Sequence, residues 1–464
     1  MSYEDFLASK ALQTVAGGMD KAPKLSDHLF PFQRDVVAWA LERGRAAIFA
    51  DTGLGKTAME LEWAQRIACV EARPVLILTP LAVAHQHVRE ATRFGMELTY
   101  VRDATEVPKR GVVVTNYERL DRFDAQVFAG VVLDESSILK AFMGSTKRRL
   151  QEAFAGHRWK LSCSATPAPN DHLELGNQAE FLEVMSSHEM IARWFINDTS
   201  TFGTYRLKGH AVESFWAWVS SWARCFGLPS QLGSGYSDAG YVLPPLEVRQ
   251  ETVDTDVTAD RGETLFRIPD MSATGIHQEK RRTADARAAR VAELVAAEPT
   301  EPWIVWTETD YEADAVMAAV PDAVEVRGSD SPEAKEAKLA AFADGATRVL
   351  VTKAKIAGYG LNWQHCARVC FVGATYSYEA FYQAIRRCYR FGQKRPVNVH
   401  VVMAQTEHGV WDVMTRKQDD HAAMKVNMFA AMKRAAEQHQ RRVDYDPRHT
   451  GRLPAWLVSS SEAA

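Results

Sequence analysis

The stretch Ala50-Asp51-Thr52-Gly53-Leu54-Gly55-Lys56-Thr57 restricts the fold of this chain more than any other. It reads A-x-x-G-x-G-K-T, a phosphate-binding loop whose first glycine is replaced by Ala50. An apolar run, Ala46-Ala47-Ile48-Phe49, precedes it as a short buried strand, and Ala58 to Ala64 follows with helical spacing and no breaker. Strand, glycine loop and helix in that order predict a βα unit with backbone N–H groups turned onto an anion. Gly53 and Gly55 permit the turn, Lys56 brings a point charge to the β- and γ-phosphates, and Thr57 offers a hydroxyl to Mg²⁺. With Thr52 these residues form the candidate ATP contacts.

A chain of 464 residues exceeds one compact core, so two or three domains are expected. The net charge of −4 excludes a globally basic nucleic-acid binder and leaves any such contact to local patches. Six scattered cysteines, with Cys366 and Cys370 the closest pair, lack metal-ligand spacing and read as free thiols of a reducing compartment. No apolar run approaches bilayer length, and the expectation is a soluble cytoplasmic protein.

Further strands follow the phosphate loop. Pro74 to Pro80 is a continuous apolar strand, and the helix after it carries His85, His87 and Arg89, read as surface residues because the two histidines do not share a helix face. Gly111 to Glu118 ends in Thr115 and Asn116, which suit a phosphate backbone. Val131-Val132-Leu133 leads into Asp134 and Glu135, and ligands of a doubly wound sheet gather at such strand ends. Asp134 is the candidate Mg²⁺ ligand, and Glu135 the group that orients and deprotonates the attacking water. A strand from Trp159 ends in Ser164-Ala165-Thr166, small residues suited to sensing the γ-phosphate. Upstream, Gln33 precedes a helix and carries an amide that matches an adenine edge.

Residues 183–241 are rich in aromatics. Phe215, Trp218, Val219, Trp222 and Phe226 fall on one helical face, which predicts a packed helical insertion, with base stacking as the alternative. A second alternation of strands and helices starts near Val242 and predicts a second parallel sheet. In it Lys280-Arg281-Arg282 opens a helix running to about Ala297 and forms a dense basic cluster expected near a nucleic-acid path.

The ordered set resembles the superfamily 2 helicases. Gln383-Ala384-x-x-Arg387-x-x-Arg390-x-Gly392-Gln393 looks like the signature of their Swi/Snf branch of duplex-DNA translocases. Thr166-Pro167-x-x-Asn170-x-x-x-Glu174-Leu175, Leu243-Pro244-Pro245 and Gly358-x-Gly360-Leu361-Asn362 support it, and the resemblance covers about Leu29 to Lys417. It implies an α/β protein with two RecA-like lobes and ATP in the cleft between them. Gln33 and Gly360 would join the phosphate loop in holding ATP. Arg387 and Arg390 would cross the cleft as arginine fingers, while Ser164, Ala165, Thr166 and Gln383 would couple the motifs. The second motif departs from the branch, since Asp134-Glu135-Ser136-Ser137 stands where a small residue and then His are common.

The domain expectation is an N-terminal extension 1–28, a first lobe 29–182, the insertion 183–241, a second lobe 242–420 and a tail 421–464. With no histone-reading module evident, a stand-alone bacterial or phage-encoded translocase on DNA is expected, using ATP and Mg²⁺. The alternatives are an RNA or single-strand helicase, or a slow nucleotide-binding scaffold that recruits a nuclease or replication partner.

Overall fold

The computed structural model describes residues 17–80, 83–140, 144–168, 171–197, 205–254, 273–357, 362–375 and 377–442. Short runs of Val, Ile, Leu and Ala alternate with helices through both halves, and such runs form strands buried on both faces of a parallel sheet. In the first half these are β1 (Arg45–Ala50), β2 (Val75–Thr79), β3 (Thr99–Tyr100), β4 (Val112–Asn116), β5 (Gly130–Asp134) and β6 (Trp159–Cys163). A small hairpin, β7 (Phe195–Asn197) with β8 (Tyr205–Leu207), precedes β9 (Ala223–Phe226). The first sheet runs β3-β4-β2-β5-β6-β1-β9, with each neighbouring pair parallel. Gly130 lets β5 lie close to β6, because a Cβ there would stand 2.5 Å from that of Trp159.

The second half supplies β10 (Leu246–Val253), β11 (Trp303–Thr307), β12 (Ala323–Val326), β13 (Val349–Lys353), β14 (Arg368–Val372) and β15 (Val397–Ala404). They form another parallel sheet, ordered β10-β15-β14-β11-β13-β12. The protein is therefore α/β with two parallel-sheet lobes.

Residues 183–241 are continuous with the first lobe. Their helices Ser187–Trp194 and Val212–Trp222 are present, but the chain then enters β9, which pairs with β1 from Ala47↔Ala223 to Ala50↔Phe226. Phe226 thus lies on a strand, not on the helical face. Phe215, Trp216, Trp218 and Trp222 are buried in the first lobe's core, with Trp222 edge-on to Phe49 at 6.0 Å. Burial of these rings removes them from base stacking; burial of apolar area, worth about 25 cal/mol per Å², holds them inside instead.

Two further segments differ from expectation. Helix His408–Arg442 continues through the region read as a tail and returns to the first lobe, where Met424 and Met428 enter the core and Phe429 packs against Gly227. Lys280-Arg281-Arg282 closes the helix Ala273–Arg282 instead of opening the next, Ala284–Ala297. Lys280 is buried and ion-paired to Glu308, with Glu407 at 4.0 Å, so only Arg281 and Arg282 of that cluster reach the surface. Among the described residues no helix is long and apolar enough to cross a membrane. The cysteines are free, and Cys69 alone among them is exposed.

Candidate active site

The phosphate loop joins β1 to the helix Lys56–Val70. Gly53 at φ 87° and Gly55 at φ 79° occupy left-handed backbone that glycine adopts without a Cβ penalty. Space is equally restrictive: a Cβ on Gly55 would run into the Gln33 amide, and one on Gly53 would stand 2.9 Å from the Phe391 nitrogen of the second lobe. Gln33 is buried and its amide is committed at both ends, accepting the Phe30 N–H at 2.9 Å and donating to the Leu54 carbonyl at 2.9 Å. In this arrangement it braces the loop from beneath. Lys56 Nζ donates to the Ala50 carbonyl at 3.0 Å, and Thr57 opens the same helix at its positive end.

Asp134 ends β5, two strands away from β1 in the sheet, and Glu135 follows it at φ 52°, a left-handed conformation uncommon for a residue with a side chain. The Tyr117 hydroxyl donates to the Asp134 carbonyl at 2.7 Å. Above the Asp134 carboxylate lies His87, whose Nε2 is 3.7 Å from Asp134 Oδ2 and 3.1 Å from Glu60 Oε2. His87 is thus fully buried, not a surface residue: helix Ala84–Arg93 turns this face inward, while His85 two positions earlier stays outside against Tyr100. Burial alone would lower the His87 pKa, but the Glu60 hydrogen bond and the charges of Asp134 and Glu60 outweigh it and push the imidazole up to about 9.

The carboxylates respond in the opposite sense. Burial, reinforced by the charge of Glu60, raises the Asp134 carboxyl well above its ordinary value despite His87 and Lys56. Burial also raises Glu135, against the opposing charges of Lys56 and of Arg387 from the second lobe. Oxygen donors of this kind, a buried carboxylate at a strand end and a hydroxyl at a helix start, are the set a hard divalent cation such as Mg²⁺ takes. Asp134 and Thr57 fit that role chemically.

Ser164, Ala165 and Thr166 are buried beyond β6, with the Ser164 hydroxyl accepting the Thr166 N–H at 3.0 Å. Thr115 and Asn116 are buried as well. Thr115 donates to the Val101 carbonyl at 2.7 Å, so neither presents itself to a phosphate backbone here.

From the second lobe comes helix Tyr378–Ile385, with Gln383 buried on it. Arg387 and Arg390 lie in the turn beyond its end, not on a helix face, because the last helical residue is Ile385. Arg387 is buried and donates to the Gln383 carbonyl at 3.0 Å and to the Gln383 side chain at 3.2 Å. Burial lowers the Arg390 pKa, with the first lobe's Glu90 acting against it. The lobes are also tied at Asp51, which receives Arg386 at 3.0 Å, Lys425 at 3.2 Å and the Tyr382 hydroxyl. Lys140 to Glu379 and Arg89 to Glu336 add two more ties.

A model of the helicase conserved C-terminal domain matches residues 286–392, most of the second lobe. The DNA annealing helicase and endonuclease ZRANB3 of Mus musculus is 24% identical over 437 residues, 85% of this chain and 40% of its own length. A SWI/SNF-related matrix-associated actin-dependent regulator of chromatin subfamily A-like protein 1 of Drosophila melanogaster is 24% identical over 448 residues, 88% of this chain and 57% of its own. Both alignments run through the two lobes. Through its second lobe and these relatives the chain is similar to the Swi/Snf-like branch of the superfamily 2 helicases. It spans about half the length of these relatives, 40% and 57%. Among solved structures, the Sulfolobus solfataricus SWI2/SNF2 ATPase core in complex with dsDNA covers 90% of this chain and 97% of its own, at 16% identity and a TM-score of 0.42.

Nucleotide use and ATP hydrolysis are the general chemistry of helicases of this kind. The first-lobe motif residues converge at the strand ends, and Arg387 approaches them closely enough for its charge to act on Glu135. Gly360 lies outside the described residues, as do Gly358, Leu361 and Asn170. Motif reading passed over Glu60, His87, Asp51, Tyr382, Arg386 and Lys425. Glu60 did carry a signal: it sits with Glu62 among Met59, Leu61, Trp63 and Ala64, a run whose apolar neighbours leave no solvent face.

Proposed function

We propose that this Swi/Snf-like protein is a DNA-stimulated ATPase that converts lobe closure into translocation along duplex DNA. The observation that supports it best is the position of Glu135, half-buried just past the end of β5 with Lys56 of one lobe and Arg387 of the other acting on its charge. A carboxylate whose pKa is raised is a stronger base toward water than an ordinary one. Lys56 and the N–H groups of the loop would hold the phosphates, with Thr52 at the nucleotide's edge and Gln33 bracing the loop that binds it. Mg²⁺ on Asp134 and Thr57 would offset charge on the phosphate oxygens. Arg387 and Arg390 would stabilise the charge that builds during transfer, and they would do so only with the lobes together. Ser164, Ala165, Thr166 and Gln383 would then report the nucleotide's state between the lobes, and each closure and opening would advance the protein on DNA.

The test compares ATP hydrolysis with duplex DNA, single-stranded DNA, RNA and no nucleic acid. Duplex DNA should give the largest stimulation, and Glu135→Gln should abolish it while ATP still binds. Stimulation by RNA or single strands alone would replace the duplex reading, and hydrolysis indifferent to all three would remove the translocase.

A further inference from the structure

Three elements meet at Asp134. Glu60 lies three residues past Thr57 on the helix Lys56–Val70, so the two share a face one turn apart. His87 comes from helix Ala84–Arg93, and Asp134 from the end of β5. Their ligand-type atoms all lie within 4.8 Å of one another, and Glu60 and His87 are fully buried. His87 Nδ1 is 3.3 Å from the Val83 carbonyl, which only accepts, while Nε2 faces Glu60 at 3.1 Å and Asp134 at 3.7 Å. With Nδ1–H given to the Val83 carbonyl, Nε2 is the nitrogen turned to the two carboxyl groups. Asp134 is held at its carbonyl by the Tyr117 hydroxyl, and its Oδ2 stands at ion-pair distance, 3.7 Å, from His87 Nε2.

Packing alone does not call for these residues. The neighbouring buried positions Met59, Leu61, Trp63 and Ala64 show that the helix packs with apolar side chains, and a buried ion pair is seldom more stable than well-packed hydrophobes. Its use must lie in what it orients. Moreover, the motif at Asp134-Glu135-Ser136-Ser137 carries no histidine of its own.

We infer that Glu60 and His87 are positioning residues that fix the Asp134 carboxylate for the divalent cation of bound nucleotide. The path Thr57, helix, Glu60, His87, Asp134 refers both proposed metal ligands to the same helix, so hydroxyl and carboxylate keep their spacing. This rests on the ATPase reading for the identity of the metal ligands. Partners of a metal ligand set its orientation, and losing one typically lowers metal affinity about 10- to 100-fold.

The experiment is a Mn²⁺ titration followed by electron paramagnetic resonance, with and without ADP, on wild type, Glu60→Gln, His87→Gln and the apolar double variant Glu60→Leu/His87→Phe. Melting curves accompany each. Mn²⁺ affinity in the presence of ADP should fall about 10- to 100-fold in His87→Gln and in the double variant, and less in Glu60→Gln, whose amide oxygen still accepts from His87. ADP binding in EDTA should stay within about twofold. Wild-type Mn²⁺ affinity in folded variants overturns the inference, and the apolar pair supplies that comparison if the single variants do not fold. Mn²⁺ bound tightly without ADP, and lost in His87→Gln, also overturns it, since the three residues would then be a metal site themselves. A wild type that binds Mn²⁺ with ADP but does not hydrolyse ATP removes the ATPase reading and leaves the positioning role standing.

Discussion

Asp51 lies half-buried in the phosphate loop and Asp134 buried at the end of β5, and the two carboxyls stand in opposite electrostatic states. Burial alone would raise the Asp51 carboxyl. The charges of Arg386 and Lys425 and the hydrogen bonds from Tyr382 and Thr52 outweigh it and hold the group far below the ordinary range. Asp134 is buried more deeply, and that burial, with the charges of Glu60 and Glu135 beside it, holds its carboxyl well above the ordinary range despite His87 and Lys56. The first anion is completed by the chain itself, and completing it ties the lobes together. The second has the carboxylates Glu60 and Glu135 as neighbours, and oxygen donors gathered in this way are the kind a hard divalent cation takes. Proximity to the loop is common to both; what differs is whether the second lobe brings cations to the carboxylate.

The comparison breaks most visibly at the arginines. If the site around Asp134 and Glu135 is completed by nucleotide and the second lobe, Arg387→Ala or Arg390→Ala should lower DNA-stimulated turnover by about 10³ to 10⁵. ATP affinity should change less than about tenfold, and lysine should not rescue either position. Steady-state hydrolysis at saturating DNA decides it, and wild-type rates would separate the second lobe from the chemistry.

Glu135→Gln should cost about 10² to 10⁴ in turnover while nucleotide binding persists, because the amide keeps shape and loses the base. Equilibrium binding of a fluorescent ATP analogue beside the hydrolysis rate tests that separation.

On the Asp51 side the loss is one of lobe association. Asp51→Asn should weaken the tie by about 1.5–3 kcal/mol, read as a wider distribution of distances between dyes on the two lobes. Its pH dependence has a definite sign. A carboxyl with a depressed folded pKa stabilises fully above its unfolded value, about 3.9, and loses that contribution only as pH falls through the folded value. The difference between wild type and Asp51→Asn should therefore stay constant from about pH 8 to pH 5. A difference that vanishes within that window would show that Asp51 is not the tie.

The smallest effect concerns the basic cluster, where burial again separates neighbours. Arg281→Ala and Arg282→Ala should each flatten the salt dependence of DNA binding by about one unit if they touch phosphate, without changing stability. Lys280→Ala, which strips Glu308 and Glu407 of a buried partner, should lower the melting temperature instead. Filter binding across a salt series and a thermal melt sort the three residues.

Both sheets, the phosphate loop and the carboxylates at the end of β5 are legible in the chain because each is a contiguous pattern. An apolar run followed by glycines and a helix folds from near neighbours, and a carboxylate after a strand is placed at the sheet's edge by the strand alone. Periodicity also assigned His85 and His87 to different faces of one helix. It could not say that one of those faces lies against Glu60, and so His87 read as surface. For the same reason the aromatics of Val212–Trp222 read as a separate insertion, whereas pairing of β9 with β1 joins them to the first lobe.

The amino-acid sequence by itself determined that this is a two-sheet α/β protein with a nucleotide loop, two strand-end carboxylates and an arginine motif of the Swi/Snf branch. Tertiary structure alone decided which charges meet. Glu60 and His87 are 27 residues apart, and Asp51 is 331, 335 and 374 residues from Tyr382, Arg386 and Lys425. Over such separations the chain carries no local pattern. Whether a buried carboxylate finds a cation is then set by strand order, by the turn beyond Ile385 and by the return of the last helix to the first lobe, and those are outcomes of packing, not of spacing.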